Sequence, residues 1–109
     1  MMIDREFIKK LNGIGGVLVT YEEKQTDFNS NGEIISKNGY KIRYKNPDSY
    51  YGKAFFDLVE IDLTEGYARA TVLKDITQMS IFKIIDILKV VDEKVEAVNN
   101  ERKKQCETH

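Results

Sequence analysis

Apolar and polar positions divide this chain into three blocks with different periods. In the first, "IDREFIKKLNG" sets Ile3, Phe7, Ile8 and Leu11 at helical spacing, with Asp4 and Glu6 in the first turn and Asn12-Gly13 as a C-terminal stop. The pattern predicts a short amphipathic helix. Gly13, Gly15 and Gly16 then break it and lead into a strand. A phosphate-binding glycine loop runs the other way, from strand to helix, so that helix-end amides face the anion. "GIGG" therefore reads as a helix stop and a turn.

The middle block has a period of two. "VLVTYEEKQTDF" places Val17, Val19 and Tyr21 on one strand face. Asn31-Gly32 and Asn38-Gly39 both carry turn signals, which leaves "EIISK" as a brief strand or an irregular excursion between them. A strand from Tyr40 to Tyr44 follows. "KNPDSYYGK" is a loop, because Pro47 lacks a ladder donor and turn-forming residues surround it. "AFFDLVEIDL" then puts Phe55, Val59, Ile61 and Leu63 on one side, and Glu65-Gly66 turns it into "YARATVL". Four or five antiparallel strands are expected.

The last block is helical. Asp75 and Gln78 have the spacing of a capping box, and neither Gly nor Pro occurs from there to Lys104. A helix of roughly 29 residues is about 43 Å long, whereas a domain of this size has a radius of gyration near ~13 Å. Its far end must overhang, bend, fray or meet something else. Ile81, Ile84, Leu88, Val91, Val95 and Val98 alternate steps of three and four, and Ile85 and Ile87 widen the apolar face in the first half. One reading lays this helix across the sheet with its last turns in water. The other has Leu88, Val91, Val95 and Val98 meet a second copy or a partner helix, although about two and a half heptads are too few to hold a dimer alone.

The fold class expected is α+β: a short N-terminal helix, an antiparallel sheet of four to five strands, and a long C-terminal helix packed on one sheet face. A length of 109 residues suits a single domain, 1–109, with 105–109 a frayed tail. An apolar share of 41% beside a charged share of 32% fits an ordered chain.

Charge narrows the function. Lys and Arg number 17 against 18 Asp and Glu, so the whole molecule has neither a grip on nucleic acid or membrane nor the shell of a DNA mimic. Recognition by charge needs a local patch, and "KNGYKIRYK" supplies one. Lys37, Lys41, Arg43 and Lys45 fall on one strand face, with Tyr40, Ile42 and Tyr44 on the other. A cationic strand back guards a sheet against unwanted pairing, with Glu60 and Asp62 as cross-strand partners. Alternatively the strip, flanked by Tyr50 and Tyr51, meets phosphates or an acidic protein surface. The candidate contact residues are Lys37, Tyr40, Lys41, Arg43, Tyr44, Lys45, Tyr50 and Tyr51, with the acidic strand 57–65 as the alternative surface.

Catalysis has little to stand on. His109 is the single histidine and Cys106 the single cysteine, both in the expected tail. No Ser-His-Asp set, HExxH motif or ordinary structural zinc site is available, and no base is placed beside the thiol. Pro47-Asp48 matches the first half of a restriction-nuclease pattern, but the acid-x-lysine half is missing downstream. Asp57, Glu60, Asp62 and Glu65 read as a solvated face. No metal and no cofactor are expected.

One cysteine excludes an internal disulfide and fits a reducing compartment. With no signal-like start and no apolar run of spanning length, a soluble cytoplasmic protein is expected. The Lys-, Ile- and Asn-rich composition is that of AT-rich genomes and their phages. The expectation is a non-enzymatic binding protein that occupies a surface of a protein partner, most concretely a phage or mobile-element inhibitor of a host nuclease-type defence system. The alternatives are a nucleic-acid accessory protein using strand 37–45, and an assembly protein that homodimerises through the C-terminal helix.

Overall fold

The computed structural model describes residues 4–28, 30–48, 50, 52–64 and 68–107; side chains at 24–27, 34–37 and 105–107 lie outside that description. In chain order the elements are α1 (Arg5–Asn12), β1 (Val17–Phe28), β2 (Ile34–Lys45), β3 (Phe55–Asp62), β4 (Arg69–Val72), a 3-10 helix (Lys74–Gln78) and α2 (Ile81–Glu107). The strands form one antiparallel sheet in the order β1-β2-β3-β4. Phe7 and Leu11 of α1 and Ile87 and Val91 of α2 share a core with Val17, Val19, Tyr40, Ile42, Val59 and Ile61. Both helices therefore cover the same face, and the fold is α+β as expected. The Glu65-Gly66 turn and Ile3 lie outside the described residues.

Local chemistry explains the first elements. Asp4 caps α1 by accepting a hydrogen bond from the Phe7 amide at 3.1 Å. Gly13 ends the helix, its N–H donating to the Lys9 carbonyl at 3.0 Å. Gly32 supplies the positive φ of +78° at the β1–β2 turn.

Asn38-Gly39 is not a turn. β2 runs through it without interruption, Gly39 pairing with Glu22 on one side and Asp62 on the other. A Cβ at position 39 would overlap the Ile61 carbonyl oxygen. Glycine is there because two backbones come close, and "EIISK" belongs to one long strand. Among the described residues of β2, only Gly39–Lys45 pair with β3, so the rest of the β1–β2 hairpin continues as a two-stranded arm.

A second departure lies in β3. The β2–β3 register passes from Ile42↔Val59 to Arg43↔Asp57, leaving Leu58 as an extra residue. Leu58 and Val59 are both fully buried. Because the bulge reverses the alternation, Phe55 stands opposite Lys45 on the uncovered face rather than with Val59 and Ile61.

The start of α2 also differs from the capping-box expectation. Asp75 sits in the 3-10 helix, where its Oδ2 accepts from the Asp57 amide at 3.1 Å and from Lys53 Nζ at 3.3 Å. That makes Asp75 a tie to β3. Ser80 takes the cap instead, its Oγ accepting from the Lys83 amide at 3.5 Å. From there α2 runs 27 residues. Ile84, Leu88, Val95 and Val98 pack against the core with buried Ile87 and Val91. The seam therefore faces the sheet of its own chain, while Ile81, Phe82 and Ile85 stay exposed. Among the described residues no helix is long and apolar enough to cross a membrane.

Candidate interaction surfaces

The uncovered sheet face is built from the outward residues of all four strands. Register sets them in rows: Leu18, Arg43 and Asp57; Thr20, Lys41, Glu60 and Thr71; Glu22, Gly39, Asp62 and Arg69. Arg43 Nε meets Asp57 Oδ1 at 3.1 Å, and Lys41 stands opposite Glu60. Acids on β3 thus lie beside bases on β2 along the face, and no isolated cationic ridge results. Lys45 continues the row at the strand end, opposite Phe55 and exposed. Leu18 and Phe55 also keep more than a third of their surface in water.

The candidate residues do not form one patch. Lys41, Arg43 and Lys45 share the uncovered face. Tyr40 is on the other face, 2% exposed, with its hydroxyl accepting from the Asp4 amide at 2.9 Å. Tyr44 is half-buried, and Lys83 Nζ lies 5.3 Å from its ring centroid. Tyr50 is 90% exposed in the loop after β2. Asn46 organises that loop: its Nδ2 donates to the Lys53 carbonyl at 2.7 Å, and its Oδ1 accepts from the Asp48 amide at 2.9 Å. Tyr51 and the Lys37 side chain lie outside the described residues, as do the side chain of Cys106 and the whole of His109. Leu88, Val91, Val95 and Val98 are together, but turned inward.

Tyr40 belongs to a buttress between the two helices and the sheet. Phe7 and Tyr21 meet its ring edge-on, with centroids 5.0 and 5.2 Å away. Lys94 of α2 donates to Asp4 Oδ2 at 2.7 Å and lies 5.8 Å from the Phe7 ring centroid. The Lys94 hydrogen bond holds the Asp4 carboxyl below the usual carboxylate range, helped by the Phe7 amide. The Asp57 amide, with Lys53, does the same for Asp75. Burial pushes the Tyr21 hydroxyl up, and the nearby Glu23 charge adds to it.

A second surface lies along β4, which sequence reasoning missed. Every residue of β4 is exposed, including Ala70 and Val72, whose partners Ile61 and Val59 are core. Between β4 and α2 runs an open trough of about 910 Å³, lined by Ala70, Thr71, Ile85 and Leu88 with Lys89 and Asp92 along its rim. Phe82, one turn before Ile85, is 77% exposed. The signal was present in "IFKII", which carries apolar residues off the seam.

Beyond Ala68, which lines the trough, polar side chains of α2 hold the β3–β4 connection. Asn99 Oδ1 accepts from the Ala68 amide at 2.7 Å, and its Nδ2 donates to the Ala68 carbonyl at 3.2 Å. One turn on, Arg102 donates to the Thr64 carbonyl at 3.1 Å and to that of Leu63. The far half of α2 is thereby pinned to the β3–β4 connection.

Among the described residues, no group of His, Cys, Asp and Glu is placed to hold a metal ion. No family model matches the chain, and no curated protein or solved structure shows significant similarity to it.

Proposed function

We propose that this protein is a non-enzymatic binding protein that works by occupying a surface of a protein partner with its uncovered sheet face. One observation carries the reading: Leu18 and Phe55 stay exposed beside Arg43 and Lys45 on a face that neither helix covers. Aromatic and arginine side chains on a firm scaffold are the usual anchors of protein recognition. The alternation of Lys41 and Arg43 with Glu60 and Asp57 supports a protein surface over a phosphate backbone, which calls for an unbroken basic track. The concrete form is a phage or mobile-element inhibitor of a host nuclease-type defence machine.

Capture from the native host, wild type against the Phe55→Asp, Lys45→Glu double variant, tests the surface. Loss of a specific partner with an unchanged circular-dichroism spectrum is expected; undiminished capture removes this face from the proposal. For the inhibitor form, phage plating on a strain that carries such a system is scored with and without the protein. Plating that the protein leaves fully restricted argues against it. A DNA or RNA shift that falls steeply with salt would point to the nucleic-acid alternative.

A further inference from the structure

We propose that the outer edge of β4 and the first turns of α2 form a homodimer interface, in which the β4 strands of two copies pair antiparallel about a two-fold axis through Thr71. This surface lies away from Arg43, Lys45 and Phe55, and the inference does not depend on the function proposed for them.

The edge dictates the register. Leu73 N donates to the Leu58 carbonyl at 2.7 Å. Alternation along an antiparallel ladder then turns the amides of Thr71 and Arg69 toward β3 and those of Ala70 and Val72 away from it. Ala68 is already taken by Asn99, and Lys74 starts the 3-10 helix. The edge open to a partner is therefore Ala70–Val72, with outward groups two residues apart. A second copy presents the same two. Ala70 pairs with the partner copy's Val72 and Val72 with its Ala70, each exchanging both backbone hydrogen bonds, and the two Thr71 residues face each other.

The side chains agree with this register. Ala70 and Val72, opposite core Ile61 and Val59, share the helix side of the strand. Ile85 lines the trough with Ala70, and Ile81 and Phe82 are exposed on the preceding turn of α2. The two-fold joins the two troughs, so each copy's exposed helix residues close the other's. A foreign extended segment would satisfy the same edge but would leave Phe82 and Ile81 in water. On the opposite face Arg69 comes beside Leu73 of the second copy, so no charge meets its like across the strands.

Phe82 alone contributes on the order of 150 Å². A stable interface of standard size buries about 800 Å² per copy, and in this arrangement the exposed Ile81, Phe82 and Ile85 add to what the strand edge supplies.

Two measurements test the proposal. Sedimentation velocity up to about 200 µM should show a concentration-dependent dimer. Phe82→Asp with Ile85→Asp, both on exposed positions, should weaken it at least roughly tenfold with the circular-dichroism spectrum unchanged. In a Cys106→Ser background, Thr71→Cys should form an interchain disulfide under mild oxidation, because facing residues on the axis lie about 4.5–5.5 Å apart. Arg69→Cys, two residues off the axis, should not. Arg43→Ala with Lys45→Ala should leave the dimer intact, which separates this proposal from the one above.

A wild type that stays monomeric overturns the proposal. So does a dimer indifferent to the Phe82 and Ile85 changes, or equal cross-linking at positions 69 and 71. A monomer that loses a captured protein partner on Phe82→Asp would assign the edge to a foreign strand and reject the second copy.

Discussion

Asn99 holds Ala68 by both halves of its side-chain amide, accepting from the backbone N–H at 2.7 Å and donating to the carbonyl at 3.2 Å. This is the bonding pattern that a neighbouring strand would supply. It caps the edge of the sheet at that point and fastens the far half of α2 to β4. Asn99→Ala leaves both groups without that partner. Removing a partly buried pair of this kind should cost about 1–3 kcal/mol, measured by urea denaturation, and Ala68 amide exchange should accelerate.

Gly39 and Gly32 separate two demands on glycine. At Gly39 a Cβ would overlap the Ile61 carbonyl, so Gly39→Ala must part β2 from β3 and should cost more than about 3 kcal/mol. Gly32 has open space around it and a φ of +78°. Gly32→Ala should cost only about 1–2 kcal/mol, the penalty for a side chain in the left-handed region. Thermal melts of the two variants compare them directly.

Val91 tests where the helix seam points. It is 2% exposed and lies in the core. Val91→Asp should therefore destabilise the fold by about 3–5 kcal/mol, through an unpaired buried charge and lost packing. A folded monomer with native circular dichroism and an unchanged melting temperature would contradict that placement.

The Asp4–Lys94 pair makes a pH prediction. Lys94 holds the Asp4 carboxyl below its ordinary value, so the unfolded chain takes up the proton first as pH falls. The contribution of the pair is present above about pH 4 and is lost as pH drops through the lowered value. Asp75, held down by the Asp57 amide and Lys53, acts in the same direction. Urea midpoints should be flat near neutrality and decline in acid, and Asp4→Asn should flatten part of that decline. An identical acid slope in the variant would remove Asp4 from the account.

The uncovered face was partly legible in the strand "YKIRY". Its alternation placed Lys41 and Arg43 together and Ile42 on the opposite side, and the structure keeps both. The rest depended on contacts between strands. Phe55 alternates with Val59 and Ile61 in the sequence, but the extra residue at Leu58 reverses the alternation and brings it beside Lys45. Tyr40 looked available to a partner, yet Phe7, Tyr21 and Lys94 converge on its ring. Which flank of α2 stays bare was equally hidden, because the width of sheet beneath the helix is not written in the helix.

The sequence alone determined the kinds of element and their order. Helical spacing, alternation, caps and glycine stops act over a few residues, and they are enough for an α+β chain with a long final helix. Tertiary structure decided whether Asn38-Gly39 turned or ran straight, which face Phe55 joined, and that the valine seam points inward. It also decided that Asn99 and Arg102 close on residues more than thirty positions away. These outcomes follow from register and packing between distant segments, where one bulge or one close backbone approach outweighs local preference.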